Sequence, residues 1–451
     1  MSLVSKSGVY PKYFVSANEV LDTLRNYMLV DGFDFILDLH NSNDSKLKDL
    51  RYAKEFTDFF TFFASVPIGL NHPKISNINF IDYLGRVALT KPSNSDIYTE
   101  EYATFVNTFF KVAVPKEFKY SFFIDGGALA VENALKTAFD WKVRKNLAKG
   151  KGQLGSKIIH FKQAFHGRSG YTMSLTNTDP NKVMYYPKFE WPRISNPKLT
   201  FPLTDDSLTK VIELEKQSIT EIKDAFVKYP DDIAAIIIEP IQGEGGDNHF
   251  RPEFLQSLRT LADENEALLI FDEVQTGGGL TGSFFAFEQM NVTPDIAVFG
   301  KKMQVCGIIS TNRVDEVPDN VFHTSSRINS TWGGNLVDMV RSTRYLEIIQ
   351  DENLLANVKL QGKVLYSEMR NLQGEFPEII NNIRHRGLFA AFDFVKPELR
   401  PKFLEKTMQN GLIILPCGEK SIRFRPALDV KADTILNGFE IIKHSLKEIL
   451  A

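Results

Sequence analysis

Three short runs limit what this chain can become: IAAIIIE (233–239), ALLIFD (267–272) and IAVFGK (296–301). Each is apolar at nearly every position, as a strand buried on both faces of a parallel sheet should be. Each also ends on a charged residue: Glu239, Asp272 and Lys301. In an open α/β sheet, that C-terminal edge of the strands is where ligands bind. Upstream, from about residue 119, the pattern alternates. KYSFFID reads as a strand, GGALA as a tight turn, ENALKTAFDWKVRKNLA as a long amphipathic helix and SKIIHF as another strand. The expectation is an α/β domain with a mostly parallel sheet.

The residues at that edge suggest chemistry. A lysine at the end of a buried strand loses hydration, which disfavours its ammonium and makes a neutral, nucleophilic amine accessible. Imine formation with an aldehyde requires such an amine. The competing reading of Lys301 and Lys302 is a solvated strand-to-loop corner. Asp272 ends an apolar strand, where a carboxylate needs a partner. Gln275 follows three residues later, near enough to serve the same ligand. A helix cap or a buried ion pair would also explain Asp272. Glycines between strand and helix let the amides of Gly127 and Ala128 face a phosphate. Phe165, His166 and Arg168 cluster after a strand. The ring could stack on a planar cofactor and the guanidinium could fork onto a carboxylate; a surface turn is the alternative. RINSTWGGN (327–335) offers the hydroxyls of Ser330 and Thr331. Arg423 and Arg425 alternate with apolar residues, placing both on one strand face, as an anion site or a solvated face.

The remaining chain is read more coarsely. Residues 1–50 look like an arm, with a helix near 18–28 capped by Ser16 and a strand-like FDFILDL (33–39). FTDFFTFFASVPIGLNHP (56–73) is either core or an apolar wall over a site. Residues 180–230 are proline-punctuated, then helical, with little visible chemistry. A single long helix is expected from 336 to 372, leading into a smaller domain whose strands include GLFAAFDFV and SIRFRP. The domain expectation is 1–70 for the arm and part of the small domain, 71–335 for the large domain and 336–451 for the small domain.

At 451 residues, 43% hydrophobic and 24% charged, the chain has the composition of a soluble globular protein. A formal net charge of -3 argues against a nucleic-acid surface. The two cysteines, Cys306 and Cys417, allow one disulfide at most and fit a reducing compartment. The first ten residues lack an apolar signal core, and no run spans a membrane. A cytoplasmic protein is expected, with no metal-ligand set.

The motifs FHG (165–167), EPIQGEGG (239–246), DEVQTG (272–277), FGKK (299–302) and STWGGN (330–335), in this order, resemble the class III pyridoxal-phosphate aminotransferases. FHGRSGYTMSLTNT, FGKKMQVCG and NSTWGGN look most like its lysine 6-aminotransferase branch. The resemblance implies fold type I: a large domain with a mostly parallel seven-stranded sheet, a smaller α+β domain, and a homodimer. It implies pyridoxal 5'-phosphate as cofactor, with Lys301 carrying it through an imine and shuttling a proton. Asp272 would keep the ring nitrogen protonated and Gln275 would bond the phenolic oxygen. Phe165 would stack on the ring with His166 beside it and Glu239 at the same edge. Gly127 and Ala128 would hold the phosphate, and Thr331 would reach it from the other subunit. On the substrate side, Arg168 would take the distal carboxylate and Arg423 the acceptor's near carboxylate. Glu244 would neutralise Arg423 when an amine is bound, and Lys302 would be structural. The implied reaction moves the ε-amino group of L-lysine to 2-oxoglutarate, giving glutamate and 2-aminoadipate 6-semialdehyde. Rivals are ornithine, 4-aminobutyrate or a diamine as donor, an aminomutase, or a non-catalytic cofactor-binding protein. Two departures separate the chain from the broader class. DGGALA lacks the serine common in the phosphate turn, and GGLTG after DEVQTG lacks the usual aromatic and arginine.

Overall fold

The computed structural model describes residue 4 and residues 8–451. The remaining residues of the expected arm, and of the stretch inspected for a signal core, lie outside the described residues.

The three apolar runs are neighbouring central strands. The large sheet has seven strands in the order Phe118–Ile124, Cys306–Thr311, Ile296–Phe299, Leu268–Asp272, Ile233–Ile238, Lys157–Phe161, Arg193–Ile194. Only Cys306–Thr311 runs antiparallel to its neighbours; the other six point one way. The expectation of a mostly parallel seven-stranded sheet holds. Alternation along each strand divides the core into two faces. Ile237, Leu268, Ile270, Ile296 and Val298 pack with Ala134, Leu135 and Trp141 of the helix Gly127–Ala148. Ile236, Leu269, Phe271, Ala297 and Phe299 pack with Phe254 and Leu258 of the helix Pro252–Glu264 and with Phe105 and Phe109 of Glu100–Val112. Both faces are covered, so the strand ends are the sheet's accessible edge.

The C-terminal part builds a second, antiparallel sheet in the order Ile380–Arg386, Phe389–Phe394, Ser421–Phe424, Leu415–Cys417. A third sheet joins the chain's beginning to its end: Glu55–Asp58 pairs with Lys46–Lys48 and, in parallel, with Leu412–Ile413.

Three local expectations need correction. The helix from 336 is two helices, Leu336–Asp351 and Leu354–Glu375, broken at Asn353, whose φ of 50° is left-handed. Asparagine tolerates that conformation, and a left-handed residue cannot continue a right-handed helix. FDFILDL forms no strand, only a bridge from Leu37 to Asp49. Phe33, Phe35 and Leu37 pack against the Leu47, Phe56 and Phe60 cluster. Asp38 then turns the chain by accepting from the His40 and Asn41 amides at 3.0 Å each. The early helix is shorter than expected, a 3-10 turn Ala17–Glu19 leading into Val20–Arg25.

Phe56, Phe59 and Phe60 of the aromatic segment are core residues while Phe63 is exposed, and the segment has an unusual backbone. Thr61, Phe62, Phe63 and Ala64 all have left-handed φ values, 39°, 51°, 59° and 66°. Such a turn of L-residues costs roughly 1–2 kcal/mol per residue, so its surroundings must hold it. Lys302 Nζ donates to the Val66 carbonyl (2.8 Å) and Gln304 Nε2 to the Ser65 carbonyl (2.7 Å). The Asp58 carboxylate accepts from the Phe60 and Thr61 amides, both at 2.8 Å. Lys302 is thus a buried brace between the lysine loop and the arm.

Candidate active site

The strand Ile296–Phe299 delivers Lys301 to a cavity of about 470 Å³. The cavity is lined by Gly127, Ala128, Phe165, His166, Gly167, Arg168, Ser169, Glu239, Asp272, Val274, Gln275, Lys301 and Cys306. Nine of these are expected site residues, and all stand at the C-terminal edge of the large sheet. A second cavity of about 520 Å³, near Asp44, His72 and Asp429, contains none of them.

Lys301 has φ 48°, strain of the kind stored at functional sites. Among the described residues its amine has no hydrogen-bond partner. Burial pushes the amine down to about 8, and the nearby guanidiniums of Arg423 and Arg425 push the same way, against Glu244 and Asp272. The neutral fraction therefore falls about tenfold for each pH unit below 8. Addition of a soluble aryl aldehyde to the apoprotein at Lys301, followed by stopped flow, should accelerate up to about pH 8 and then level. A profile still rising at pH 10 would mean a hydrated amine.

Asp272 is held at both oxygens. Oδ2 lies 2.8 Å from His166 Nδ1, and Oδ1 accepts from the Val274 amide at 3.0 Å. His166 Nε2 is buried with no hydrogen-bond partner. Glu239 lines the cavity, but its oxygens are occupied: Phe165 N donates to one at 2.9 Å and Gly243 N to the other at 3.2 Å. Burial, then the Asp272 charge, raises its carboxyl well above the ordinary range. Glu239 thus fixes the backbone that presents Phe165.

The helix Gly127–Ala148 opens at the cavity with Gly126 as its N-cap, which has φ 97° and no capping side chain. Its first amides and the dipole of a 22-residue helix are left for an anion. Gly167 keeps that end open. A Cβ there would stand 2.4 Å from Ala128 Cβ, so only glycine lets the Phe165 loop pass so close to the helix.

Gln275, which lines the cavity, is joined to two arginines. Gln275 Oε1 accepts from Arg423 Nη1 (3.3 Å) and Arg425 Nη2 (3.0 Å), leaving its Nε2 free to donate. Arg425 is buried, paired with Asp247 at 2.5 Å and stacked 3.5 Å above the Phe389 ring. Arg423 Nη2 meets Glu244 Oε2 at 3.4 Å, and Glu244 Oε1 also accepts from Lys182 Nζ. Burial alone would raise Glu244; Arg423, then Lys182, hold it below its usual range.

Arg168 lines the cavity and is exposed. Thr331 does not line it: its loop is exposed, and its carbonyl accepts from Ser93 Oγ at 2.6 Å. Sequence reasoning missed Gly167, Val274, Cys306, Asp247 and Lys182. Asp247 follows the GEGG run directly and could have been paired with an arginine of the same strand-face set; Lys182 carries no motif.

A bare amine beside a buried carboxylate, an aromatic wall and an open helix N-terminus together suit a flat aldehyde with an anionic tail, the form of pyridoxal phosphate. The aminotransferase class-III family matches residues 32–446. L-lysine-epsilon aminotransferase of Mycobacterium tuberculosis is 46% identical over 448 residues, covering 99% of each chain. That of Amycolatopsis lactamdurans is 46% identical over 433 residues, 95% of this chain and 96% of the relative. A solved lysine aminotransferase from M. tuberculosis in the internal aldimine form superposes with a TM-score of 0.94, at 46% identity over 96% of this chain and 100% of its own.

Proposed function

The chain belongs to the class-III aminotransferases, and from that premise we propose that it transfers the ε-amino group of L-lysine to 2-oxoglutarate. The products are L-glutamate and 2-aminoadipate 6-semialdehyde. The observation that carries the reading is the partnerless Lys301 amine in the Asp272 cavity, next to an arginine already neutralised by Glu244. The relatives named L-lysine-epsilon aminotransferase, at 46% identity, support the donor.

Pyridoxal 5'-phosphate, when bound, supplies an aldehyde and a ring that accepts an electron pair. Lys301 would hold the group covalently, and its Nζ, when free, would move the proton at the donor carbon. Asp272 would keep a proton on the ring nitrogen, and His166 fixes the carboxylate's orientation. Gln275 Nε2 would donate to the phenolic oxygen. The amides of Gly127 and Ala128 would hold the phosphate, and Phe165 would pack on the ring. Glu239 keeps Phe165 in place.

The two substrates differ in charge. The donor brings an ammonium to the reacting end, and an unpaired arginine there would repel it. The acceptor brings a carboxylate to the same place. Glu244 on Arg423 suits the donor; Arg423 freed of Glu244 suits the acceptor. Arg168 is exposed at the rim, placed for the distal carboxylate. Arg423→Ala should slow the 2-oxoglutarate half-reaction roughly 30- to 100-fold, the loss of a buried charge pair, and the lysine half-reaction far less. Single-turnover measurement of both halves checks this; equal losses would refute the exchange.

The reading includes a homodimer. The helix Ile78–Ala88 buries no side chain, and Ile78, Ile81, Tyr83, Leu89, Ile97 and Tyr98 expose apolar surface that a second copy would cover. Thr331 would then serve the partner's phosphate site. The domain division at 70 and 335 is supported by separate sheets on either side, with the arm strand Glu55–Asp58 joined to the C-terminal part. Among the described residues no helix is long and apolar enough to cross a membrane. The two free cysteines support a cytoplasmic setting.

Spectroscopy of the cofactor-loaded protein tests the function. L-lysine should shift the cofactor absorbance, and 2-oxoglutarate should restore it. A shift with ornithine or 4-aminobutyrate but not lysine would overturn the donor. Product without net shift and without 2-oxoglutarate would indicate an aminomutase.

A further inference from the structure

Glu244 bridges two cations, and the second is unexplained by the exchange just described. Its Oε2 faces Arg423, which is 5% exposed, while its Oε1 accepts from Lys182, 27% exposed. Lys182 ends the short turn Pro180–Lys182, which is capped by the Asp179 side chain accepting from Asn181 N at 2.9 Å. Its Nζ also lies 5.5 Å from the centroid of the Phe165 ring, so the amine stands at the cavity wall. Glu244 is its one hydrogen-bond or ion-pair partner among the described residues.

The carboxylate must leave Arg423 once in every catalytic cycle. A half-buried carboxylate stripped of its partner carries an uncompensated desolvation cost, and that cost would keep it on Arg423. We propose that Lys182 is a positioning residue for the acceptor half-reaction: it retains Glu244 while a 2-oxo dicarboxylate occupies Arg423. Because the two carboxylate oxygens face different cations, Glu244 can lose the arginine and keep the lysine. Lys182 therefore biases Arg423 toward availability and favours acceptors with a near carboxylate over those without one. The inference rests on Arg423 as the acceptor's partner.

The test uses the cofactor-loaded enzyme with Lys182→Met, which keeps an unbranched apolar chain and removes the charge, and Lys182→Arg, each alone and combined with Glu244→Gln. Readouts are the KM for 2-oxoglutarate, kcat/KM for L-lysine, and the calorimetric Kd of glutarate, a dicarboxylate with no keto group to react. Lys182→Met should raise the 2-oxoglutarate KM and the glutarate Kd about three- to fivefold, the upper range for one partly exposed ion pair. Lysine kcat/KM should change little, and Lys182→Arg should restore acceptor binding. With Glu244→Gln present, Lys182→Met should add less than about twofold, because the coupling runs through that carboxylate. An equal loss in the Glu244→Gln background would mean that Lys182 binds the acceptor directly, and would overturn the proposal. So would unchanged glutarate affinity, or an equal loss with lysine. If Arg423→Ala leaves glutarate affinity intact, the underlying reading of Arg423 fails, whatever Lys182 does.

Discussion

Lys301→Ala should lose at least about 10⁴-fold in turnover, since in the proposed reaction one side chain supplies both the covalent attachment and the proton transfer. The folded state should survive. The Lys301 amine has no partner among the described residues, so truncation orphans nothing, and removing a buried ammonium relieves desolvation. Thermal unfolding of the apoprotein should therefore occur at the wild-type temperature or above it. Lys302 cannot take over, although burial pushes its amine down even further, to about 7. That amine is turned into the protein, 2.8 Å from the Val66 carbonyl. A low pKa is thus not sufficient; of the two lysines only Lys301 lines the cavity, which is why the proposed nucleophile is Lys301. Substantial turnover in Lys301→Ala, or borohydride labelling of the loaded wild type at another residue, would remove the assignment.

Asp272→Asn should reduce turnover about 10²- to 10³-fold, the usual range for deleting one preorganised electrostatic contact. It should do so without destabilising the protein. The amide oxygen introduced by the substitution could still accept from the Val274 backbone or from His166, so the local hydrogen bonds can largely re-form. Glu239, whose carboxyl is raised first by burial and next by the Asp272 charge, would be relieved of a like charge. Loss of activity together with unchanged or higher thermal stability would mark Asp272 as a site residue. A lower stability with activity retained would make it an ordinary buried anchor.

The strand ends were readable because burial and chemistry leave different marks on one run. Six apolar residues in Ile233–Ile238 can form only an interior strand, and a charge directly after them stands at its edge. Glu239, Asp272 and Lys301 could therefore be brought to one edge from the chain alone. Roles within that edge were less visible. The sequence places Glu239 beside Asp272 but does not show that backbone amides of Phe165 and Gly243 occupy its oxygens. The break at Asn353 is marked by a single residue inside a stretch whose helical periodicity continues on both sides. Lys182 lies about sixty residues before Glu244 in a region without motifs, and only the fold brings them together. Thr331 is a different case: its expected role depends on a second copy of the chain.

The parallel pairing of Glu55–Asp58 with Leu412–Ile413, and the brace from Lys302 to the left-handed turn at 61–64, have a consequence for biosynthesis. The Lys301 loop leans on a segment made early, and that segment is anchored by one made much later. Closing so wide a span is an entropic hurdle that local contacts cannot lower. A nascent chain can assemble most of the large sheet, but it cannot finish the pocket until Leu412–Ile413 emerge. Cofactor capture should therefore wait for that segment.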